Sequence, residues 1–176
     1  GQGAGLLPGR QELGVLADAA VPTAGFVDLH SAGAGGFQDH APGLKAVVYH
    51  GGLRDIDRAL GDGDVLLTSY GILRRDIRVL RKRTFGLVVF DEIQHIKNRL
   101  TQSYLAAIRI RTRMKLGLTG TPIENTLAEL KTLMDLVIPG YLGGEEAFKT
   151  RYIDTIEPDL KSPRRRELSR LISPFT

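Results

Sequence analysis

Between Phe85 and Asn98 the sequence reads FGLVVFDEIQHIKN. Leu87, Val88, Val89 and Phe90 form a short continuous apolar run that ends abruptly at two carboxylates, Asp91 and Glu92. A run of this length with β-branched members reads as a strand buried on both faces, as in a parallel sheet. Such a sheet needs crossover connections and covering helices, so this stretch narrows the fold to the α/β class. It also locates a candidate site, because open α/β sheets bind ligands outside the carboxyl ends of their strands. One carboxylate placed there can hold a Mg²⁺ that bridges phosphates while its neighbour orients an attacking water. Taken alone, two acids after a strand are equally compatible with a solvated loop.

The chain around this stretch alternates in the same way. Strands are predicted at Ala46–Tyr49, Val65–Thr68, Leu87–Phe90 and Met114–Leu118. Helices are predicted over Leu53–Leu60, Gly71–Lys82 and Thr101–Arg109. If the strands are parallel, Ser69, Asp91 and Thr119 gather at one edge. A further helix follows, with Ile123, Leu127, Leu130 and Met134 at helical spacing on one apolar face. Thr121-Pro122-Ile123-Glu124 fits a capping box with proline at the first helical position, Asn125 is a rival cap, and Pro139-Gly140 stops the helix. Two regions break the pattern. Residues 1–40 are Gly/Ala-rich, lack lysine and are expected to be partly irregular, whereas 41–176 is regular α/β. Lys161 to Arg166 (KSPRRR) reads as a basic connector.

Composition excludes several classes. At 176 residues the chain has one domain's worth of sequence, with an ordinary 42% hydrophobic and 25% charged content. No apolar run is long enough to span a bilayer, and the first residues lack the layout of a secretory signal. The absence of cysteine removes disulfides and cysteine-based zinc sites and fits a reducing interior. An intracellular location is therefore expected. A net charge of +4 permits a polyanionic partner without requiring one. On the Gly71–Lys82 helix, Leu73, Ile77 and Leu80 mark an inner face while Arg74, Arg78 and Arg81 form a parallel basic stripe. A stripe of this kind serves either as a phosphate contact or as a solvated face.

Two segments in order, DEIQHIKN at 91–98 and LTGTPIEN at 118–125, resemble motifs II and III of superfamily-two helicases. Their wording is similar to that of the sucrose-non-fermenting (Snf) family of DNA-translocating ATPases. DVLLTSY at 64–70, PGYLGGEEAF at 139–148, Arg151-Tyr152 and Ile172-Ser173-Pro174-Phe175 extend the resemblance across roughly Ala41 to Phe175. It implies a RecA-like lobe, a parallel sheet with helices on both faces, that uses ATP and Mg²⁺. By the resemblance, Asp91 holds the Mg²⁺ of Mg-ATP and Glu92 activates or orients the hydrolytic water. Gln94 and His95 relay the nucleotide state, and Thr119, Gly120 and Thr121 couple hydrolysis to movement. Thr68, Ser69 and Tyr70, with Arg74 on the following helix, contact the DNA backbone. The implied partners are double-stranded DNA and a second RecA-like lobe, and the implied activity is ATP-dependent translocation or nucleoprotein remodelling. Without the motifs, His95 is a polar loop residue and Thr121 a helix cap.

One element of the resemblance is missing. A motor of this class cradles phosphates with a P-loop, Gly-x-x-x-x-Gly-Lys followed by Ser or Thr. No lysine of this sequence follows a glycine. Gly14-Val15-Leu16-Ala17-Asp18 is similar to the family's lead-in to the P-loop, but Ala19-Ala20-Val21-Pro22 follows it. Where the family has a second DNA-contacting turn and a tryptophan, this chain has AGFVDLHSAGAGGF and no tryptophan. The sequence thus reads as an incomplete first lobe, with a non-catalytic DNA- or protein-binding module as the alternative.

Overall fold

Among the described residues five strands pair into a single sheet: β1 (Leu13–Ala17), β2 (Ala46–Val48), β3 (Val65–Ser69), β4 (Thr84–Phe90) and β5 (Arg111–Gly117), in the order β2-β3-β1-β4-β5. The computed structural model of the chain describes residues 13–17, 43–120, 126–159 and 161–175. β2 runs parallel to β3 and β4 parallel to β5, as the apolar runs predict. β1 lies between the two parallel pairs and runs antiparallel to both neighbours, pairing Leu13 with Ser69 and Gly14 with Phe90. A five-residue strand therefore sits inside the part of the chain expected to be partly irregular. The SAGAGG segment lies outside the described residues.

The pairing register sorts the sheet into two faces. Val47, Leu66 and Val88 share one cross-strand row, and their face carries the main core. Four helices pack on it: α1 (Ile56–Asp62), α2 (Tyr70–Leu80), α3 (Gln102–Arg109) and α4 (Leu127–Val137). Val48, Leu67, Val89 and Leu116 share the next row on the opposite face. Leu67 and Val89 are buried there, while Val48 and Leu116 at the two flanks are exposed. β5 is thus an edge strand with its outer apolar residues open to solvent. It starts at Arg111, three residues before the predicted Met114, because its first residues are charged and carry no apolar signal.

Each of the four helices begins on a side-chain oxygen that takes up an otherwise unpaired backbone N–H. Asp55 Oδ1 accepts from Asp57 N at 2.8 Å and Arg58 N at 3.1 Å, so α1 starts at Ile56 and leaves Leu53, predicted helical, exposed in the preceding loop. Ser69 caps α2, Thr101 caps α3 and Thr126 caps α4. The sequence offered Thr121 or Asn125 as the cap of α4; both lie outside the described residues, together with Pro122, Ile123 and Glu124. α4 also has two apolar faces rather than one. Leu133, Leu136 and Val137 pack into the sheet core. Leu127, Leu130 and Met134 pack into a second cluster with Leu142, Phe148, Tyr152, Ile156 and Leu168.

That second cluster is built from α5 (Glu145–Phe148), a π-helical stretch at Lys149–Ile153, α6 (Asp154–Ile156) and α7 (Pro163–Ile172). α7 corrects the reading of KSPRRR as a connector. Ser162 accepts from Arg164 N at 3.4 Å, Pro163 takes the first helical position, and the three arginines form the first turn. The charge run hid a Ser-Pro helix start whose apolar anchor, Leu168, lies five residues on.

Lys131 on α4 is 2% exposed. Its Nζ lies 2.5 Å from Asp135 Oδ2, which also accepts from Arg99 Nη2 at 2.6 Å. Removing Asp135 strands the buried Lys131 charge, whereas an apolar side chain in place of Lys131 leaves Asp135 still paired with Arg99. Asp135→Ala is expected to destabilise the chain by about 3 kcal/mol and Lys131→Met by less than about 1 kcal/mol, read by urea denaturation. Equal losses would remove the buried-charge account.

Candidate functional site

Ser69, Asp91 and Thr119 do share one edge, the carboxyl ends of β3, β4 and β5. Two backbone bonds fix the arrangement: Leu118 N donates to Phe90 O at 2.9 Å, and Ile93 N donates to Leu118 O at 2.9 Å. The chain leaving β4 is thereby clamped to the chain leaving β5, with Asp91 and Glu92 beside Thr119. Room for the clamp comes from Gly117, where a Cβ would stand 2.5 Å from Ile93 Cδ1 and 3.3 Å from Val137 Cγ2.

Glu92 is the only non-glycine residue with positive φ among the described residues, at φ 46° and ψ 51°. The left-handed region costs an ordinary residue roughly 1–2 kcal/mol. The turn is held by its neighbours. Asp91 Oδ1 accepts from Glu92 N at 3.0 Å, Gln94 Nε2 donates to Glu92 Oε2 at 2.6 Å, and a 3₁₀ turn, Ile93–Ile96, buries both isoleucines. Gln94 Oε1 is buried with no hydrogen-bond partner. Asp91, Glu92 and Gln94 are half-buried, whereas His95, Thr119 and Gly120 are exposed. Thr121 lies outside the described residues.

The end of β3 differs from the expected phosphate-contacting turn. Thr68 is 3% exposed and its hydroxyl donates to Tyr49 O at 3.0 Å. Tyr70 is 5% exposed; its hydroxyl donates to Asp91 O at 2.7 Å and its ring stacks on Phe90. Two of the four residues assigned to DNA contact, Thr68 and Tyr70, thus turn their hydroxyls inward. A hydroxyl satisfied inside the fold is not presented to a phosphate, which leaves the backbone N–H groups of this turn as the expected contact. Ser69 is half-buried and accepts from Ile72 N at 3.3 Å. Arg74 and Arg78 are exposed on α2, opposite the buried Leu73 and Leu80, as the stripe predicts.

α2 is pinned by Asp76, whose carboxylate is shared by Arg54 and by the Tyr49 hydroxyl at 3.0 Å. The Arg54 hydrogen bond holds the Asp76 carboxyl below its usual range, with Tyr49 adding to the effect. Burial first, then the hydrogen bond to Asp76, pushes the Tyr49 phenol up to about 12. A second set of ionic contacts ties the acid turn to α4: Lys97 to Glu129 at 3.2 Å, and Arg99 to Thr132 Oγ1 at 3.1 Å and to Asp135. Sequence reasoning missed these positioning residues. Their partners lie more than thirty positions away, and the available signal was two cations directly after the acid motif.

Do these residues fit Mg-ATP? Among the described residues no group of three or more His, Asp or Glu side chains gathers to hold a metal. A cation at this edge would have to take ligands from phosphate, which is the habit of Mg²⁺. Asp91 and Glu92 fit that half of the task. The phosphate-cradling half is not met: no Gly-Lys pair exists, and β1 runs the wrong way. Ala17, in the segment similar to the P-loop lead-in, pairs with Val65 and Leu87 toward the amino ends of β3 and β4, away from Asp91.

An α/β sheet with an acid pair and a Thr-Gly turn side by side at its carboxyl edge defines the RecA-like class. Within that class the comparisons are specific. The SNF2-related domain matches residues 34–176, and the chain belongs to this family. It is 40% identical over 123 residues to TATA-binding protein-associated factor MOT1 of Saccharomyces cerevisiae, covering 68% of this chain and 7% of that protein. It is 36% identical over 142 residues to the putative ATP-dependent helicase/translocase YwqA of Bacillus subtilis, covering 78% of this chain and 15% of that protein. The Sulfolobus solfataricus SWI2/SNF2 ATPase core in complex with dsDNA superposes with a TM-score of 0.68 at 35% identity, over 80% of this chain and 29% of that one. The chain therefore spans a small part of the length of its relatives.

Left-handed strain at Glu92 is directly testable, since glycine occupies that region without a steric cost. Glu92→Gly is expected to leave stability unchanged or raise it by up to about 1 kcal/mol, although it deletes a half-buried carboxylate and its bond to Gln94. A loss of about 2 kcal/mol would mean that the Gln94 bond outweighs the strain.

Proposed function

We propose that this chain supplies the acid-bearing part of the first RecA-like lobe of an ATP-dependent DNA translocase. The observation that carries the reading is the clamp joining the ends of β4 and β5, which sets Asp91 and Glu92 against Thr119 at one sheet edge. In this reading Asp91 holds a phosphate-bound Mg²⁺ and Glu92 orients water, the chemistry that such a cation and carboxylate supply in phosphoryl transfer. Gln94, bonded to Glu92, and exposed His95 face the remainder of the motor, a second RecA-like lobe. Thr119 and Gly120, with Thr121 beyond them, couple the nucleotide state to movement. Double-stranded DNA is the partner, contacted through its phosphates by Ser69 and Arg74, with an intracellular, nucleoid-associated setting. The relatives named as ATP-dependent helicases or translocases, and the relative solved with dsDNA, support this reading.

A second reading rests on the phosphate cradle that this sequence lacks: the chain serves as a DNA- or protein-binding module without turnover. The two readings separate by experiment. This chain alone is expected to bind duplex DNA without sequence preference, with affinity that falls steeply as salt rises. Arg74→Ala with Arg78→Ala should flatten the salt slope by about 0.9 for each phosphate no longer neutralised. An unchanged slope returns both arginines to a solvated face.

Hydrolysis by the chain alone is expected to be undetectable above buffer, because neither a P-loop lysine nor an opposing arginine finger is supplied. The finger alone is worth roughly 10³–10⁵ in rate in related phosphoryl transfer. Joining the chain to a P-loop segment and second lobe from a relative should restore DNA-stimulated hydrolysis that Glu92→Gln abolishes. Glu92-dependent turnover by the purified chain alone would overturn the account of the missing cradle, and a joined protein indifferent to Glu92→Gln would favour the binding module.

A further inference from the structure

A cleft among the described residues lies in the C-terminal part of the chain, lined by none of the acid-turn residues. It has a volume of about 950 Å³ and is bounded by the π-helical stretch on one side and α7 on the other. Its floor is apolar, with Leu142, Ala147 and Leu171. Three guanidiniums line it, Arg151, Arg166 and Arg170, against one carboxylate, Glu167.

That carboxylate is already spent. Glu167 Oε1 accepts from the Tyr152 hydroxyl at 2.8 Å and pairs with Arg151 at 2.5 Å, while Oε2 pairs with Arg164 at 2.5 Å. With Arg164 the largest cause, these donors hold the Glu167 carboxyl down at about 2. Arg166 and Arg170, one helical turn apart and exposed, make no ion pair among the described residues. The cleft therefore offers two uncompensated cations beside an apolar floor.

We propose that this cleft binds an extended acidic peptide segment of a partner protein, with the pattern acid–apolar–acid. Side chains one turn apart on a helix stand about 6 Å apart, and alternate residues of an extended chain about 6.6 Å apart on one face. Two carboxylates at that spacing meet Arg166 and Arg170 together, through charge-assisted hydrogen bonds. The residue between them points the other way, onto Leu142 and Ala147. The outer face of a duplex presents sugars and phosphates, with no apolar group to cover Leu142 and Ala147. A single small anion would leave most of the volume and one arginine unused.

The test is fluorescence anisotropy of labelled Glu-Leu-Glu-Leu-Glu with the whole chain. Binding is expected to be saturable and to weaken about tenfold or more in Arg166→Glu with Arg170→Glu. Arg166→Gln with Arg170→Gln, checked by an unchanged melting temperature, should weaken it in the same direction. Equal affinity in folded double variants overturns the site. So does equal binding of Gln-Leu-Gln-Leu-Gln, or of Glu-Ser-Glu-Ser-Glu, which lacks the apolar anchor. Displacement of the peptide by a short DNA duplex with the same dependence on Arg166 and Arg170 would reassign the cleft as a general polyanion surface.

Discussion

Two backbone hydrogen bonds, Leu118 N to Phe90 O and Ile93 N to Leu118 O, set the position of everything at the carboxyl edge of the sheet. They extend the β4–β5 pairing past the end of both strands and force the chain after Phe90 to reverse within two residues. The left-handed backbone at Glu92 follows from that reversal, and burial of Ile93 and Ile96 offsets its cost. The close approach also shows at Gly117, where a Cβ would crowd the Ile93 δ-methyl and Val137. An acid pair on a free loop would wander; here the covalent path leaves it little choice.

α4 carries this order outward. Its Leu136 is fully buried in the sheet core, while its Leu130 belongs to the C-terminal cluster. The cations that follow the acid turn, Lys97 and Arg99, reach Glu129 and Asp135 on the same helix, and Arg99 also meets Glu145 on α5 at 3.0 Å. Helix, acid turn and C-terminal cluster are therefore joined by both apolar packing and charge. The net stability such partly buried ionic contacts add is small, because desolvation offsets much of their attraction.

The parts legible in the sequence were those written locally. β2 to β5 showed as apolar runs, and α2 showed as Leu73 and Leu80 at helical spacing against Arg74 and Arg78. The shared edge of Ser69, Asp91 and Thr119 followed from parallel topology alone. What escaped depended on distant residues. Thr68 and Tyr70 read as surface hydroxyls because nothing near them in the sequence announces Tyr49 O or Asp91 O as partners. The second apolar face of α4 was hidden because the cluster it serves lies in later residues. α7 was hidden differently: three consecutive arginines dilute an apolar period that needs only Leu168 and Ile172 as anchors. β1 carries apolar residues at every position but glycine, a composition that marks a strand and leaves its direction open.

β5 has a consequence for how the chain behaves in bulk solution. Among the described residues it is the last strand on one side of the sheet, with no strand paired to its outer backbone groups, and Met114 and Leu116 stand exposed on its surface. Such an edge is a template onto which another strand can add, and sheets that remain monomeric blunt it with charge. Arg111, Arg113 and Lys115 alternate with those apolar residues along the strand. Lys115 turns inward to donate to Ala107 O at 3.1 Å, so repulsion between the exposed Arg111 and Arg113 and their copies is what opposes edge-to-edge pairing.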